Sequence, residues 1–143
     1  DTENRNFKMK HGWYAISVGQ KPAPPDVVQL IQKLAAQCKK ELPDHIDMAN
    51  DNLLGHIIGI CYVSHSEQSK DAKSPWANCS WNWCNMIASA IKLPTPIPAK
   101  GKLGIWNLTD EQKLSIQQQI TTLHEEERES AEKNEELSAS VAV

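Results

Sequence analysis

Long apolar runs are missing from this sequence, since no stretch approaches the roughly 18 apolar residues that a membrane span requires. The first five residues hold three charged side chains, and no apolar stretch follows them, so we expect no signal peptide. The four cysteines form no CxxC pair, and we interpret them as reduced thiols. These absences predict a cytoplasmic or nuclear protein that does not contact a membrane.

Metal-ligand spacing is also absent. The five histidines stand apart from one another and from the cysteines, so the sequence predicts neither a metal site nor a cofactor. Phenylalanine occurs once, whereas tryptophan occurs five times. Tryptophans either fill a core or stack on unpaired bases. We expect Trp83 and Trp106 in the core, and Trp76, which follows Pro75 in a loop, as the exposed stacking residue.

Charge is distributed unevenly along the chain. Residues 109–143 hold nine acidic and three basic residues, whereas residues 1–108 hold twelve basic and nine acidic ones. A mildly basic body permits phosphate binding without requiring it. The acidic C-terminal segment suits a basic protein partner.

Hydrophobic periodicity predicts six elements in the order strand, helix, strand, strand, strand, helix. The predicted ranges are 10–18, 25–42, 53–63, 81–91, 102–108 and a helix from residue 109, which Thr109 and Gln112 begin as a capping box. This order lacks the strict alternation of parallel α/β folds, so the sequence predicts an α+β fold, a small mixed barrel or curled sheet with flanking helices.

The domain prediction divides the chain at residue 123. Residues 1–123 form the folded domain, and residues 124–143 form an acidic helical end followed by a disordered tail. Within the domain, prolines at 94, 96 and 98 remove hydrogen-bond donors from one side of an extended chain, which predicts an edge strand or an extended loop.

Four segments together resemble one known family. They are Glu3-Asn4-Arg5 with His11–Ser17, the strand Leu54–Ile60, the Trp81-Asn82-Trp83 strand, and the closing segment Pro96–Trp106. In this order they resemble the ASCH domain, the activating signal cointegrator homology domain. The resemblance implies a PUA-like fold, a small mixed β-barrel with helices beside a cleft. It also implies binding of nucleic acid, with RNA or single strands favoured, within a transcription-coactivator or RNA-processing protein.

The front motif of that family reads Gly-x-Lys-x-x-Glu-x-Arg. Glu3 and Arg5 match its acid and its arginine, whereas its glycine, its lysine and the first strand of the family would precede Asp1. In amidohydrolase members the motif lysine is the catalytic residue, so a binding module is favoured over an enzyme. A hydrolase of modified nucleosides or RNA, of the amidohydrolase or ribonuclease type, and a protein-interaction domain are the alternatives.

The candidate binding residues come from both ends of the expected domain. They are Glu3, Arg5, Lys8, Lys10, Ser17, Lys21, Trp76, Lys100 and Lys102. We expect Arg5 to bind phosphate with Glu3 orienting it. A basic rim in the same groove is expected from Lys8, Lys10, Lys100 and Lys102, with Ser17 and Lys21 near it at the end of the first predicted strand. The alternatives are a structural Glu3–Arg5 ion pair and ordinary solvated lysines.

Overall fold

The computed structural model describes residues 2–21, 24–37, 53–74, 76–77, 81–102 and 104–141. Its elements are β1 Thr2–Arg5, β2 Gly12–Ser17, α1 Pro25–Gln37, β3 His56–Gln68, β4 Trp83–Pro98 and α2 Asp110–Val141. The predicted α+β class is confirmed. The end of the first predicted helix, residues 38–42, and the polar connection that follows it lie outside the described residues.

Within the described part of the chain, the sheet has four strands in the order β1-β4-β3-β2, and each neighbouring pair is antiparallel. It is neither mixed nor closed into a barrel, so that part of the prediction is wrong. The two edge strands meet the long central hairpin at different levels. β1 pairs only with Trp83–Met86, whereas β2 pairs with β3 between Ile57 and Val63. β1 and β2 therefore flank different parts of the hairpin.

Two strand predictions fail for physical reasons. β1 was not predicted as a strand because Thr-Glu-Asn-Arg has no apolar alternation, and its extended form depends on pairing with β4. No strand forms among the described residues between Lys102 and Leu108. Gly104 takes a left-handed conformation with φ 75°, which interrupts an extended chain. Trp106 and Leu108 pack on the core instead, which agrees with the core position predicted for Trp106.

The β3–β4 hairpin is longer than the sequence predicts. β3 continues through the polar residues 64–68, where a loop was predicted, because His65 to Gln68 pair with Met86 to Trp83. β4 likewise continues past Ile91 to Pro98. Register shifts interrupt the pairing around Val63 and between Ile57 and Gly59.

Among the described residues, the proline segment of β4 has a strand partner on one side only, which agrees with the edge strand, one of the two predicted alternatives. β1 ends its pairing at Met86, and Pro94 and Pro96 fall in the bulge that separates the Ile57–Ile97 and Gly59–Lys92 pairs. On the side without a strand, Gln119 of α2 bonds both backbone groups of Thr95, donating to its oxygen and accepting from its N–H, each at 3.0 Å.

The core lies between this half of the hairpin and α2. Its buried members are Ile57, Leu93, Ile97 and Ala99, with Ala15, Trp106, Leu108, Ile116 and Ile120 packed against them. α2 begins with the predicted capping box, in which Thr109 and Gln112 exchange side-chain bonds to each other's N–H at 3.2 and 3.0 Å.

α2 extends to Val141, so the predicted acidic helical end is part of this helix, and the predicted disorder of the tail stays a prediction. Its glutamate, alanine and lysine residues favour helix, and Glu129 and Lys133 have the favourable i, i+4 spacing. None of the described helices is long and apolar enough to cross a bilayer.

Candidate nucleic-acid interface

A linker of residues 6–11 crosses the sheet from β1 at one edge to β2 at the other. Asn85 of β4, which is fully buried, fixes its course with both ends of its side-chain amide. Its Oδ1 accepts from the N–H of Met9 at 2.9 Å and from Ser66 Oγ at 2.6 Å. Its Nδ2 donates to the carbonyls of Glu3 at 3.1 Å and Phe7 at 3.3 Å. This amide therefore determines where the linker side chains lie.

The linker and β3 enclose an open groove of about 360 Å³, which we call the linker groove. It is lined by Lys8, Met9, Lys10, His11, Ser64, His65 and Ser66. Ser64 Oγ lies 3.0 Å from His65 Nδ1, and His65 Nε2 lies 3.2 Å from a Glu67 oxygen, so the ring of His65 is held at both nitrogens. The groove combines two lysines, two imidazoles and two hydroxyls.

Aromatic rings lie beside these cations. Lys8 Nζ is 4.6 Å from the centre of the Trp83 ring, a cation–π distance. Trp13, two residues beyond His11, is 54% exposed and meets Tyr62 edge to face at 5.3 Å. The hydroxyl of Tyr14 donates to the carbonyl of Lys10 at 2.7 Å, which ties the linker to β2.

Glu3 and Arg5 lie on one side of β1 and form an ion pair of 2.8 Å between Oε1 and Nε. The Arg5 guanidinium also lies 6.0 Å from the Phe7 ring centre. Both side chains are more than a third exposed. The ion pair agrees with the structural alternative and also leaves Arg5 accessible, so the phosphate-binding role of the pair stays a prediction.

The remaining polar candidates lie at the far end of the sheet. Backbone bonds join three segments there, since the N–H of Gly55 donates to the carbonyls of Val18 and Gly19, and the N–H of Ala99 donates to that of Gly55. Ser17 Oγ is buried and has no hydrogen-bond partner, and a Cβ added to Gly101 would lie 3.9 Å from it. Exposed lysines flank this point, namely Lys21, Lys100 and Lys102.

The single groove expected from the sequence is therefore not formed. Arg5 pairs with Trp83 at the first residue of β4, whereas Lys100 follows Pro98 at its last residue. A strand of 16 residues spans about 50 Å. The structure brings Lys8 and Lys10 together in the linker groove, and gathers the other lysines with Ser17 at the opposite end of the hairpin.

Trp76 does not have the exposure expected of a stacking residue. It is half-buried, and its carbonyl accepts a bond from Asn4 Nδ2 at 3.0 Å. A larger opening of about 710 Å³ lies near it, but Glu67, Asp71 and Lys73 give that opening mixed charge. Trp13 and Trp81 are the exposed tryptophans among the described residues. Trp83, expected in the core, is half-buried beneath Lys8.

Sequence reasoning missed three residues of this surface, Trp13, His11 and His65. The alternation of β2 contained a signal for Trp13, because it places Trp13 opposite the apolar residues Tyr14 and Ile16. Nothing local marked the histidines, because His65 lies in a segment that reads as a polar loop. His11 and His65 meet at the groove only through the pairing of β2 with β3 and the course of the linker.

Among the described residues, no group of three potential ligands could hold a metal ion. Cys61 and Cys84 are free and buried, while Cys38 and Cys79 lie outside the described residues. Burial raises the pKa of the Cys61 thiol, and the charge of Glu3 raises it further. No protein-family model matches the chain, and a search of curated proteins finds no match.

Proposed function

We propose that this protein binds single-stranded nucleic acid, RNA or DNA, through the linker groove and the adjacent face of Trp13. One observation carries the proposal: Lys8, Lys10, His11 and His65 line one groove, and an exposed tryptophan lies next to it. The resemblance to ASCH domains, which are generally assigned to RNA or nucleic-acid binding, supports the same function.

The groove suits a phosphate backbone. Ammonium groups bind phosphate oxygens as point charges without reading sequence. The groove is open, so a chain can enter from the side. Lys8 lies over Trp83, and a phosphate that draws Lys8 away would uncover that ring for a base.

Trp13 supplies the base contact. Stacking on an aromatic side chain contributes about 1–3 kcal/mol per base and tolerates every base. Trp13 keeps more than half of its surface exposed while its edge contact with Tyr62 holds the ring. Phosphate contacts and stacking together predict binding that depends on salt and has little sequence preference.

Fluorescence anisotropy with labelled oligouridine and oligothymidine of about 12 nucleotides tests the proposal at about 50 and 200 mM salt. We expect Lys8→Ala/Lys10→Ala to weaken binding and to reduce the slope of log K against log salt by about 1.4, or 0.7 per lost phosphate contact. Lys33→Ala/Lys133→Ala removes the same charge from exposed helical positions and serves as the control.

Trp13→Ala should weaken binding by at least about fivefold through lost stacking. The exposed Trp81 provides the matched control, Trp81→Ala. Absence of binding at the lower salt concentration, or equal effects of the groove and control variants, would overturn the proposal.

The outer part of α2 favours a second candidate function, the binding of a basic protein partner. Residues 124–134 are all exposed and include five glutamates. A partner that binds the full chain after nuclease treatment, and is lost when the chain ends at Leu123, would support this function. A partner lost on nuclease treatment would instead be held through nucleic acid.

A further inference from the structure

β2 connects the two basic regions of the molecule. Lys10 and His11 immediately precede this strand, and Lys21 follows its last residue by four positions. The strand advances about 17 Å from Gly12 to Ser17, at about 3.4 Å per residue. The two regions are far apart along β4, but along β2 the length of one short strand separates them.

The loop that contains Lys100 and Lys102 is fixed at the far end of this strand. Val18 donates its N–H to the carbonyl of His56, and Ala99 donates to the carbonyl of Gly55, so residues 99–102 follow directly from a bonded junction. Gly101 faces Ser17 Oγ, the buried hydroxyl that has no partner. An incoming phosphate on this loop would meet the exposed ammonium groups of Lys100 and Lys102.

Trp13 lies between the two basic ends. It is the second residue of β2 and more than half exposed. β2 is also an edge strand, paired only with β3 among the described residues. The path from Lys10 past Trp13 to Lys100 therefore follows an open edge, with cations at both ends and an aromatic face between them.

We propose that one single strand of nucleic acid lies along β2, with phosphates at Lys10 and at the Lys100–Lys102 loop and a base on Trp13. This inference rests on the proposed function and adds the path and the minimal length of the ligand. This path is short, and it corresponds to the lower end of known single-strand site sizes, about 4–6 nucleotides. Shorter ligands fill the linker groove without reaching the loop.

A ladder of oligothymidines and oligouridines, from about 3 to about 12 nucleotides, tests the path at about 50 mM salt. Wild-type affinity should rise in a step of about tenfold where the ligand first reaches both ends. In Lys100→Ala/Lys102→Ala the step should vanish while affinity for the shortest ligands stays unchanged. Lys8→Ala/Lys10→Ala should weaken every length, and Lys33→Ala/Lys133→Ala should keep the step.

Native mass spectrometry adds a second readout, because one nucleic-acid chain on one path predicts a single ligand of about 6 nucleotides per protein. Two ligands of about 6 nucleotides bound to one chain, a wild-type ladder with no step, or equal loss at all lengths in Lys100→Ala/Lys102→Ala would overturn the path. In each of these cases binding through Lys8 and Lys10 still supports the proposed function. Absence of binding at every length overturns the proposed function as well.

Discussion

Replacement of Asn85 tests the account of how the linker is held. The buried amide makes four hydrogen bonds, which use both lone-pair sites of its oxygen and both of its N–H groups. Leucine has the same number of side-chain heavy atoms and the same branching, but it makes none of these bonds. An average hydrogen bond contributes about 1 kcal/mol to stability, so Asn85→Leu should lower the free energy of unfolding by about 3–4 kcal/mol.

Asn85→Asp distinguishes the hydrogen bonds that the amide accepts from those that it donates. The carboxylate still accepts from Met9 and Ser66 but cannot donate to the carbonyls of Glu3 and Phe7, and burial disfavours its charge. The pKa of the new carboxyl should therefore lie above its unfolded value of about 3.9. Because the folded pKa is raised, Asn85→Asp should lower the free energy of unfolding most at pH values above that pKa. This loss of stability should shrink as the pH falls toward about 4, because the carboxyl is then increasingly protonated in the unfolded state as well.

Urea unfolding followed by tryptophan fluorescence measures both effects. With a slope of about 2 kcal/mol per molar urea, Asn85→Leu should lower the midpoint by about 1.5–2 M. Asn82→Asp makes the same chemical change at an exposed position and is the control. A shift below about 0.3 M for Asn85→Leu, or an Asn85→Asp penalty that does not change with pH, would refute the role given to this amide.

Two further predictions concern β3. Gly59→Ala places a Cβ 2.7 Å from the carbonyl oxygen of Ile91, a backbone atom, so it should cost about 1–3 kcal/mol in urea unfolding. Gly19→Ala, which meets nothing within 4 Å, should change little, and equal midpoints would contradict this packing. Because the pKa of Cys61 is raised on folding, its thiol favours the folded state below its unfolded pKa of about 8.5, and this contribution is lost at higher pH. Cys61→Ala should flatten the alkaline decline in stability, and an unchanged slope above about pH 9 would count against the assignment.

Local patterns predicted those elements that have a short-range sequence signal. The period-two alternation in residues 10–18 indicated β2, and the Thr109–Gln112 capping box placed the start of α2. The prolines after Leu93 indicated an edge, where missing N–H groups cost little. Each of these signals acts within a few residues, so the sequence alone is enough to detect it.

β1 and the polar end of β3 could not be predicted in this way. Neither Thr2–Arg5 nor Ser64–Gln68 has an apolar face of its own, and both are extended because β4 pairs with them. The same pairing separates Arg5 from Lys100, which the family resemblance had suggested would share a groove. Strand register depends on partners far away in the chain, and no local pattern specifies it.

The sequence by itself determined the chemistry available to this protein, a mildly basic body with tryptophans and lysines and an acidic helical end, because composition and short-range propensity do not depend on the fold. The tertiary structure alone decided which of those groups meet. Lys8 and Lys10 lie more than fifty residues from Ser64 and His65 in the chain. All four line one groove because hydrogen bonds to the Asn85 amide hold the linker across the sheet. Burying that amide is favourable only when every one of its hydrogen bonds is made, which fixes one course for the linker.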